Sequence, residues 1–263
     1  MGRQKTRIAR PGASLETKSM KGVNLIKRLL EAIPFEHNQA SYAQTGEDRI
    51  LHFLFEILGI KNPTYLDIGA HHPTYLSNTY LLYKQGARGV CIEPDPTLHL
   101  RIQKKRPQDV CLNVGIAVGG SRELEFYIFD NPTMNTFSKD IRDEQVTGGR
   151  ILRKTLLIQV HDINEIITKH FPNQLHLVSL DTEGMDLAIL QNLDFTAHRP
   201  IVVCVETLEN TIERKLTDII DFMISKNYRI FADTYLNSIF VCEKVWQARP
   251  AIASQLQAEL INK

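Results

Sequence analysis

The sequence has no apolar run approaching the roughly 18 residues that cross a bilayer, so no transmembrane segment is expected. It also lacks an excess of either charge. Its 31 Lys and Arg against 30 Asp and Glu leave a formal net charge of +1, so no global field draws in a polyanion and nucleic acid is not an expected partner. The four cysteines, Cys91, Cys111, Cys204 and Cys242, show none of the short spacings of a zinc knuckle or a redox dithiol. Each lies in or beside an apolar run, as a reduced thiol in a strand would. No apolar stretch follows the basic start in the manner of a secretory leader, so the cytoplasm is the expected compartment.

What is present is an ordinary globular composition, 43% apolar and 23% charged over 263 residues, enough for one substantial core. Residues 1–20 carry Arg3, Lys5, Arg7, Arg10 and Lys18 with few large apolar groups, and are expected to form a disordered basic tail. Within 21–40, Ile26, Leu29, Leu30 and Ile33 share one helical face. That pattern predicts an amphipathic helical extension packed on the domain or on a partner subunit of an oligomer, with peripheral contact to a membrane surface as the alternative. Residues 41–245 read as one domain and 246–263 as a C-terminal tail.

Thr45 and Asp48 precede the apolar run Ile50 to Leu58, and Gly59 ends it, predicting a capped helix over 46–58. Strands then alternate with helices. The pattern places strands near 64–68, 88–93, 109–114, 123–129, 155–160, 175–181, 200–206, 228–233 and 238–242. Helices are expected near 76–85, 96–105, 162–170, 184–192 and 211–226. Runs such as Ile201 to Val205 are apolar throughout, as in strands covered on both faces. The fold class is therefore α/β: a Rossmann-like sandwich with a mostly parallel seven-stranded sheet and helices on both faces. The short 228–242 pair reads as a hairpin, which makes the last strand antiparallel.

In such a sheet a ligand sits outside the carboxyl ends of the strands. The first strand ends Asp67-Ile68-Gly69-Ala70, where Gly69 lets a backbone approach closely and Asp67 offers a carboxylate to a cationic group. The second ends Glu93-Pro94, placing a carboxylate to accept from two ribose hydroxyls. The turn Gly69-Ala70-His71-His72-Pro73 has one glycine, against the three of a pyrophosphate-binding fingerprint, which excludes a nicotinamide oxidoreductase. A ligand without phosphate, with a ribose and an amino-acid-like end, fits; S-adenosylmethionine is such a ligand.

Four segments resemble the FkbM-type family of class I S-adenosylmethionine-dependent methyltransferases. They are Ser41 to Asp48, Asp67 to Pro73 with Ser77-Asn78-Thr79, Glu93-Pro94-Asp95-Pro96, and Ser179 to Asp186. The resemblance covers roughly residues 41–243. It implies O-methylation of a hydroxyl on a saccharide, glycan or glycosylated secondary metabolite. It further implies that Asp67, Gly69 and Ala70 line the methionine end of the cofactor, that Glu93 and Pro94 hold its ribose, and that Asn113 meets the adenine side. Gln44 and Glu47 belong to a segment with two readings, a wall near the cofactor or a plain helix cap.

Asp181 and Glu183 end the fourth strand of the sheet, where a carboxylate that takes or orients a hydroxyl proton lowers the barrier to attack. For Asp181 a cofactor contact is also expected. Glu183 stands between a catalytic role and capping the helix that begins at Gly184. His72 is a further candidate base. Glu206, ending the next strand, forms with Asp181 and Glu183 an oxygen-only set that a divalent ion such as magnesium would accept. The loop Asp130 to Ser138 is a candidate lid or substrate selector, with a plain surface insertion as the other reading. The alternative function is a non-catalytic module of the same fold, a binding subunit in glycan biosynthesis. The intact set Asp67, Gly69, Glu93 and Asp181 speaks against it.

Overall fold

The structure, a computed structural model, describes residues 40–209 and 214–249. The expected basic tail, the amphipathic extension up to residue 39 and the chain after 249 lie outside the described residues.

Seven strands form the central sheet: β1 (Tyr65–Ile68), β2 (Gly89–Ile92), β3 (Val110–Leu112), β7 (Leu177–Leu180), β8 (Val202–Glu206), β11 (Tyr228–Asp233) and β12 (Asn237–Cys242). Their order is β11-β12-β8-β7-β1-β2-β3. Strands β3, β2, β1, β7 and β8 run parallel. The last strand, β12, lies antiparallel between β8 and β11, as the short hairpin connection requires. From β1 the chain first builds outward through β2 and β3, then returns to β1's other edge with β7. That reversal makes a switch point with a crevice at the strands' carboxyl ends.

Period-two alternation divides the core. Leu66, Ile68, Val178, Leu180, Val203 and Val205 pack on one side with Ile163, Ile166 and Ile167 of α5 (Ile163–His170), Ile189 and Leu190 of α6 (Asp186–Asn192), and Ile219 and Met223 of α7 (Thr217–Ser225). Tyr65, Leu177, Val202 and Cys204 point the other way, onto Leu51, Leu54, Phe55 and Leu58 of α1 (Glu47–Leu58) and Leu82 of α2 (Tyr80–Lys84). Each fully buried side chain of this size contributes about 1.5–3 kcal/mol on transfer from water. All four cysteines are free thiols, and Cys91, Cys204 and Cys242 are buried.

A second sheet, β4 (Gly115–Ile116), β6 (Leu152–His161) and β5 (Glu123–Phe129), stands beside the first. The region between β5 and β6, expected to be irregular, holds a 3-10 turn over Pro132–Met134 and a helix, α4 (Lys139–Thr147). No side chain of α4 is buried, so no apolar stripe announces it in the sequence. Its N-cap does: Ser138 Oγ accepts from Ile141 N at 3.3 Å.

Two expected helix boundaries move. The helix expected over 76–85 begins only at Tyr80, and that expected over 211–226 begins at Thr217, after a two-residue strand, β10 (Arg214–Lys215), pairs with β9 (Leu208–Glu209). The expected domain end at 245 falls within α8 (Glu243–Ala248), whose Trp246 packs edge-on against Phe231 at 5.5 Å. The capping box expected at α1 is not formed. Gly46 stands at the N-cap in the left-handed region (φ 92) without a side-chain cap. Asp48 instead turns back to accept from Ser41 Oγ (2.6 Å) and Tyr42 N (2.7 Å). Among the described residues no helix is long and apolar enough to cross a membrane.

Candidate active site

A cavity of about 720 Å³ opens at the carboxyl ends of β1, β2, β7 and β8. On the β1 side it is lined by Gly69, His71, Tyr75 and Leu76, and on the β2 side by Glu93, Pro94 and Leu98. Asp181, Glu183 and Glu206 border it after β7 and β8, and Asn131 to Asn135 with Phe137 close another wall. The loop expected as a lid or selector therefore does border the crevice. Asn135 Nδ2 reaches Asp95 Oδ2 (3.3 Å) and Thr136 Oγ1 donates to the Glu183 carbonyl (2.7 Å), so the loop spans from the β2 exit to the β7 exit. Phe137 packs on Phe126 at 4.7 Å.

Gly69 takes φ 79. A Cβ there would overlap the carbonyl oxygen of Asp181, so the close approach anticipated at this glycine is to the β7 exit as well as to the cavity. Backbone bonds lock the two turns together: Gly69 N to Ile92 O (3.0 Å) and Asp181 N to Ile68 O (3.1 Å).

Glu93 is buried, and its two oxygens each accept a main-chain N–H, Oε2 from His71 (2.7 Å) and Oε1 from Asp95 (2.8 Å). Burial is the dominant influence and pushes its pKa up to about 8 against those two bonds, with Asp95 and Asp67 adding repulsion. A carboxylate so placed gains from any hydroxyl donor that enters the cavity. Asp95 caps α3 (Pro96–Lys105) through Thr97 N and Leu98 N.

Across the cavity, one carboxylate oxygen from each of Asp181, Glu183 and Glu206 lies within 4.8 Å of the others. Burial raises the pKa of Asp181, reinforced by Asp186 and Asp67, and burial raises that of Glu183, reinforced by Asp181 and Asp186. Glu183 itself sits at φ 51 ahead of Gly184 at φ 101. It does not cap the following helix. That helix begins at Asp186 without a side-chain cap, and Asp186 Oδ1 accepts from Thr182 N and Oγ1 at 3.0 Å each.

Gln44, Gly69, Glu93, Pro94, Asp181, Glu183 and Glu206 thus converge on one cavity. Five expected site residues do not reach it. Asp67 accepts from Thr79 Oγ1 and faces Arg106 at 3.8 Å, because alternation along β1 puts it on the same side as Tyr65. Ala70 packs with Cys91 and Ile102. Glu47 is fully buried and accepts from Thr234 Oγ1 (2.7 Å) and Asn237 Nδ2 (2.9 Å), tying α1 to the β11–β12 hairpin. Asn113 donates to the carbonyls of Glu93 and Pro94 at 2.8 Å each, bracing the β2 exit from behind. His72 Nδ1 accepts from Thr74 N (3.2 Å) and Tyr75 N (2.9 Å). With Nδ1 so engaged, His72 stands outside the residues that line the cavity. His71 faces the cavity in its place, at φ 50, and nothing in two adjacent histidines marks which one turns inward.

The Methyltransferase FkbM domain family matches residues 67–230, from the end of β1 to β11. The chain belongs to the FkbM methyltransferase family. It is accordingly an S-adenosylmethionine-dependent methyltransferase. Solved structures similar to this FkbM methyltransferase include a TehB-like SAM-dependent methyltransferase from Corynebacterium glutamicum, 11% identical over 85% of this chain and 99% of that one, with a TM-score of 0.40. Another is an O-methyltransferase from Bacillus cereus in complex with SAH, 11% identical over 85% and 89% of the two chains, with a TM-score of 0.39. A third is the 1,6-didemethyltoxoflavin-N1-methyltransferase of Burkholderia thailandensis, 8% identical over 89% and 91%, also at 0.39. None of the curated proteins matches the chain.

Proposed function

We propose that this methyltransferase transfers the methyl group of S-adenosylmethionine to a hydroxyl oxygen of a saccharide, glycan or glycosylated secondary metabolite. The observation that carries the reading is one cavity with Glu93 on one side and three carboxylates, Asp181, Glu183 and Glu206, on the other. Glu93 accepts from the ribose hydroxyls, braced by Asn113 behind it, and Gly69 borders the methionine end. The sulfonium lies toward the carboxylates, which favour its positive charge.

An attacking hydroxyl oxygen forms a bond to the methyl carbon as the carbon–sulfur bond breaks, and the sulfur leaves as a neutral thioether. The hydroxyl proton passes to Asp181, which acts as general base. Glu183 and Glu206 accept from neighbouring hydroxyls and hold the acceptor in line. An acceptor-only set of this kind suits a polyhydroxylated substrate, and the family resemblance of the sequence points to the same class. The trio also matches the oxygen-only preference of magnesium. Full activity after exhaustive chelation would remove the ion from the reading.

Calorimetric titration with S-adenosylmethionine and S-adenosylhomocysteine tests the cofactor half. Measured above pH 8, where Glu93 is ionised, Glu93→Gln replaces a charged acceptor by a neutral one and is expected to weaken both ligands roughly tenfold to a hundredfold, the loss of about 1.5–3 kcal/mol typical of hydrogen bonds to charge. Unchanged affinity would take Glu93 out of the site. For the chemical half, Asp181→Asn is expected to retain cofactor affinity to within severalfold and to lower kcat about a hundredfold in a methyl-transfer assay with radiolabelled donor. A variant that keeps the wild-type kcat would exclude Asp181 as the base.

A further inference from the structure

The geometry points to Tyr75 as the platform on which the acceptor lies, a ring face that stacks a pyranose while the sugar's hydroxyl edge faces the carboxylates. This inference rests on the proposed saccharide O-methylation and adds the residue that selects the acceptor. Tyr75 is 61% exposed and borders the same cavity as Asp181, Glu183 and Glu206. An exposed aromatic alone carries no meaning. What distinguishes this one is the construction that holds it.

Its segment is bracketed by two non-glycine residues in the left-handed region, His71 at φ 50 and Leu76 at φ 54. Each costs of order 1 kcal/mol, and strain of that kind persists only where the surroundings impose it. Between the two lies the His72 ring. Nδ1 accepts from the main-chain N–H of both Thr74 and Tyr75, and the ring stands edge-on to Tyr75 with centroids 6.1 Å apart. On the other flank Ser77 N donates to Tyr42 O at 2.9 Å, fastening the turn to the segment that brings Ala43 and Gln44 to the same cavity. The main chain that carries the ring is thus fastened on both flanks, and the ring itself stands edge-on to His72 at the opening.

The chemistry of the two sides then specifies the occupant. A flat apolar acceptor would satisfy the ring and offer no donor to Asp181 and Glu183. A pyranose offers an apolar face of axial C–H groups to the ring and hydroxyl donors at its edge. His72 is a positioning residue in this scheme: it touches Tyr75, and it acts on the acceptor only through that ring.

The test uses the full chain saturated with S-adenosylhomocysteine and a panel of methyl pyranosides: the glucoside, galactoside, mannoside and rhamnoside. Saturation-transfer difference NMR reads which sugar protons touch the protein. The expected result is transfer to the axial ring protons of at least one glycoside, kept in Tyr75→Phe and weakened roughly tenfold in Tyr75→Ala, with affinity for S-adenosylhomocysteine unchanged. His72→Asn, whose amide oxygen can replace Nδ1 as acceptor, should retain the signal that His72→Leu loses. The inference is overturned if Tyr75→Ala keeps the wild-type signals, or if the loaded wild type takes none of the glycosides. A chain that binds neither adenosyl ligand removes the reading beneath it, so the two failures are told apart by the calorimetry.

Discussion

Gly69→Ala is expected to destabilise the protein by about 4 kcal/mol or more, the range reached only when a substitution forces buried backbone apart. The φ of 79 at this position strains any side chain by about 1–2 kcal/mol. The larger part comes from the new methyl, which would overlap the main-chain carbonyl oxygen of Asp181. A flexible side chain could move aside. This oxygen cannot, because both turns are fastened by main-chain bonds, Gly69 N to Ile92 O and Asp181 N to Ile68 O. Opening that contact displaces the exits of two central strands at once, and with them one side of the cavity. Gly46→Ala is the matched control: φ is 92 there, but a Cβ meets nothing within 4 Å. It should cost only about 1 kcal/mol. Urea titration of the two variants separates strain from collision, and equal losses would show that the overlap is relieved at no cost.

Much of this arrangement was legible in the sequence because parallel strands covered on both faces must be apolar throughout, and a ligand site must then follow their ends. Glu93, Asp181 and Glu206 were found that way, each as the first acidic residue after an apolar run, and Glu183 two residues beyond Asp181. What the sequence could not show was side-chain direction set by distant partners. Asp67 is as acidic and as near a strand end as Glu93, but it shares a sheet face with Tyr65 and meets Arg106 there, a residue from the end of α3. His71 and His72 are adjacent and chemically identical, and only the left-handed φ of the first sends it inward. Helix α4 escaped because an exposed helix has no apolar period, leaving Ser138 as its one local sign. The apparent capping box at α1 failed for a related reason: Ser41 and Tyr42 compete for Asp48, and propensity says nothing of who else is near.

Removing the cation beneath β1 should be nearly as costly as crowding its turn. Arg106 is completely buried. Its Nε donates to Asp109 at 2.8 Å, one terminal nitrogen donates to Tyr65 Oη and Thr79 Oγ1 at 3.0 Å each, and the other stands 3.8 Å from Asp67. Tyr65 Oη also donates to both oxygens of Asp109 at 2.8 Å, so two carboxylates depend on one guanidinium. Arg106→Met fills similar volume but leaves both without a countercharge, for an expected loss of about 3–5 kcal/mol. Lysine would not restore it, since a single ammonium cannot reach Tyr65, Thr79 and Asp109 together. The loss should depend on pH in a defined direction. Burial already raises the pKa of Asp67, and Arg106 is the largest influence pulling it back. Without Arg106 the folded form holds the Asp67 proton to higher pH than the unfolded chain does, so it binds more protons through that window and loses stability as pH rises. The deficit of Arg106→Met relative to wild type should therefore be smallest under acid conditions, where Asp67 is protonated in both, and should grow as pH rises to neutrality. Chemical denaturation of both proteins at a series of pH values measures this difference. A deficit that stays constant would mean that the cost of losing Arg106 lies in packing and in its bonds to Tyr65 and Thr79 rather than in the charge it sets against Asp67.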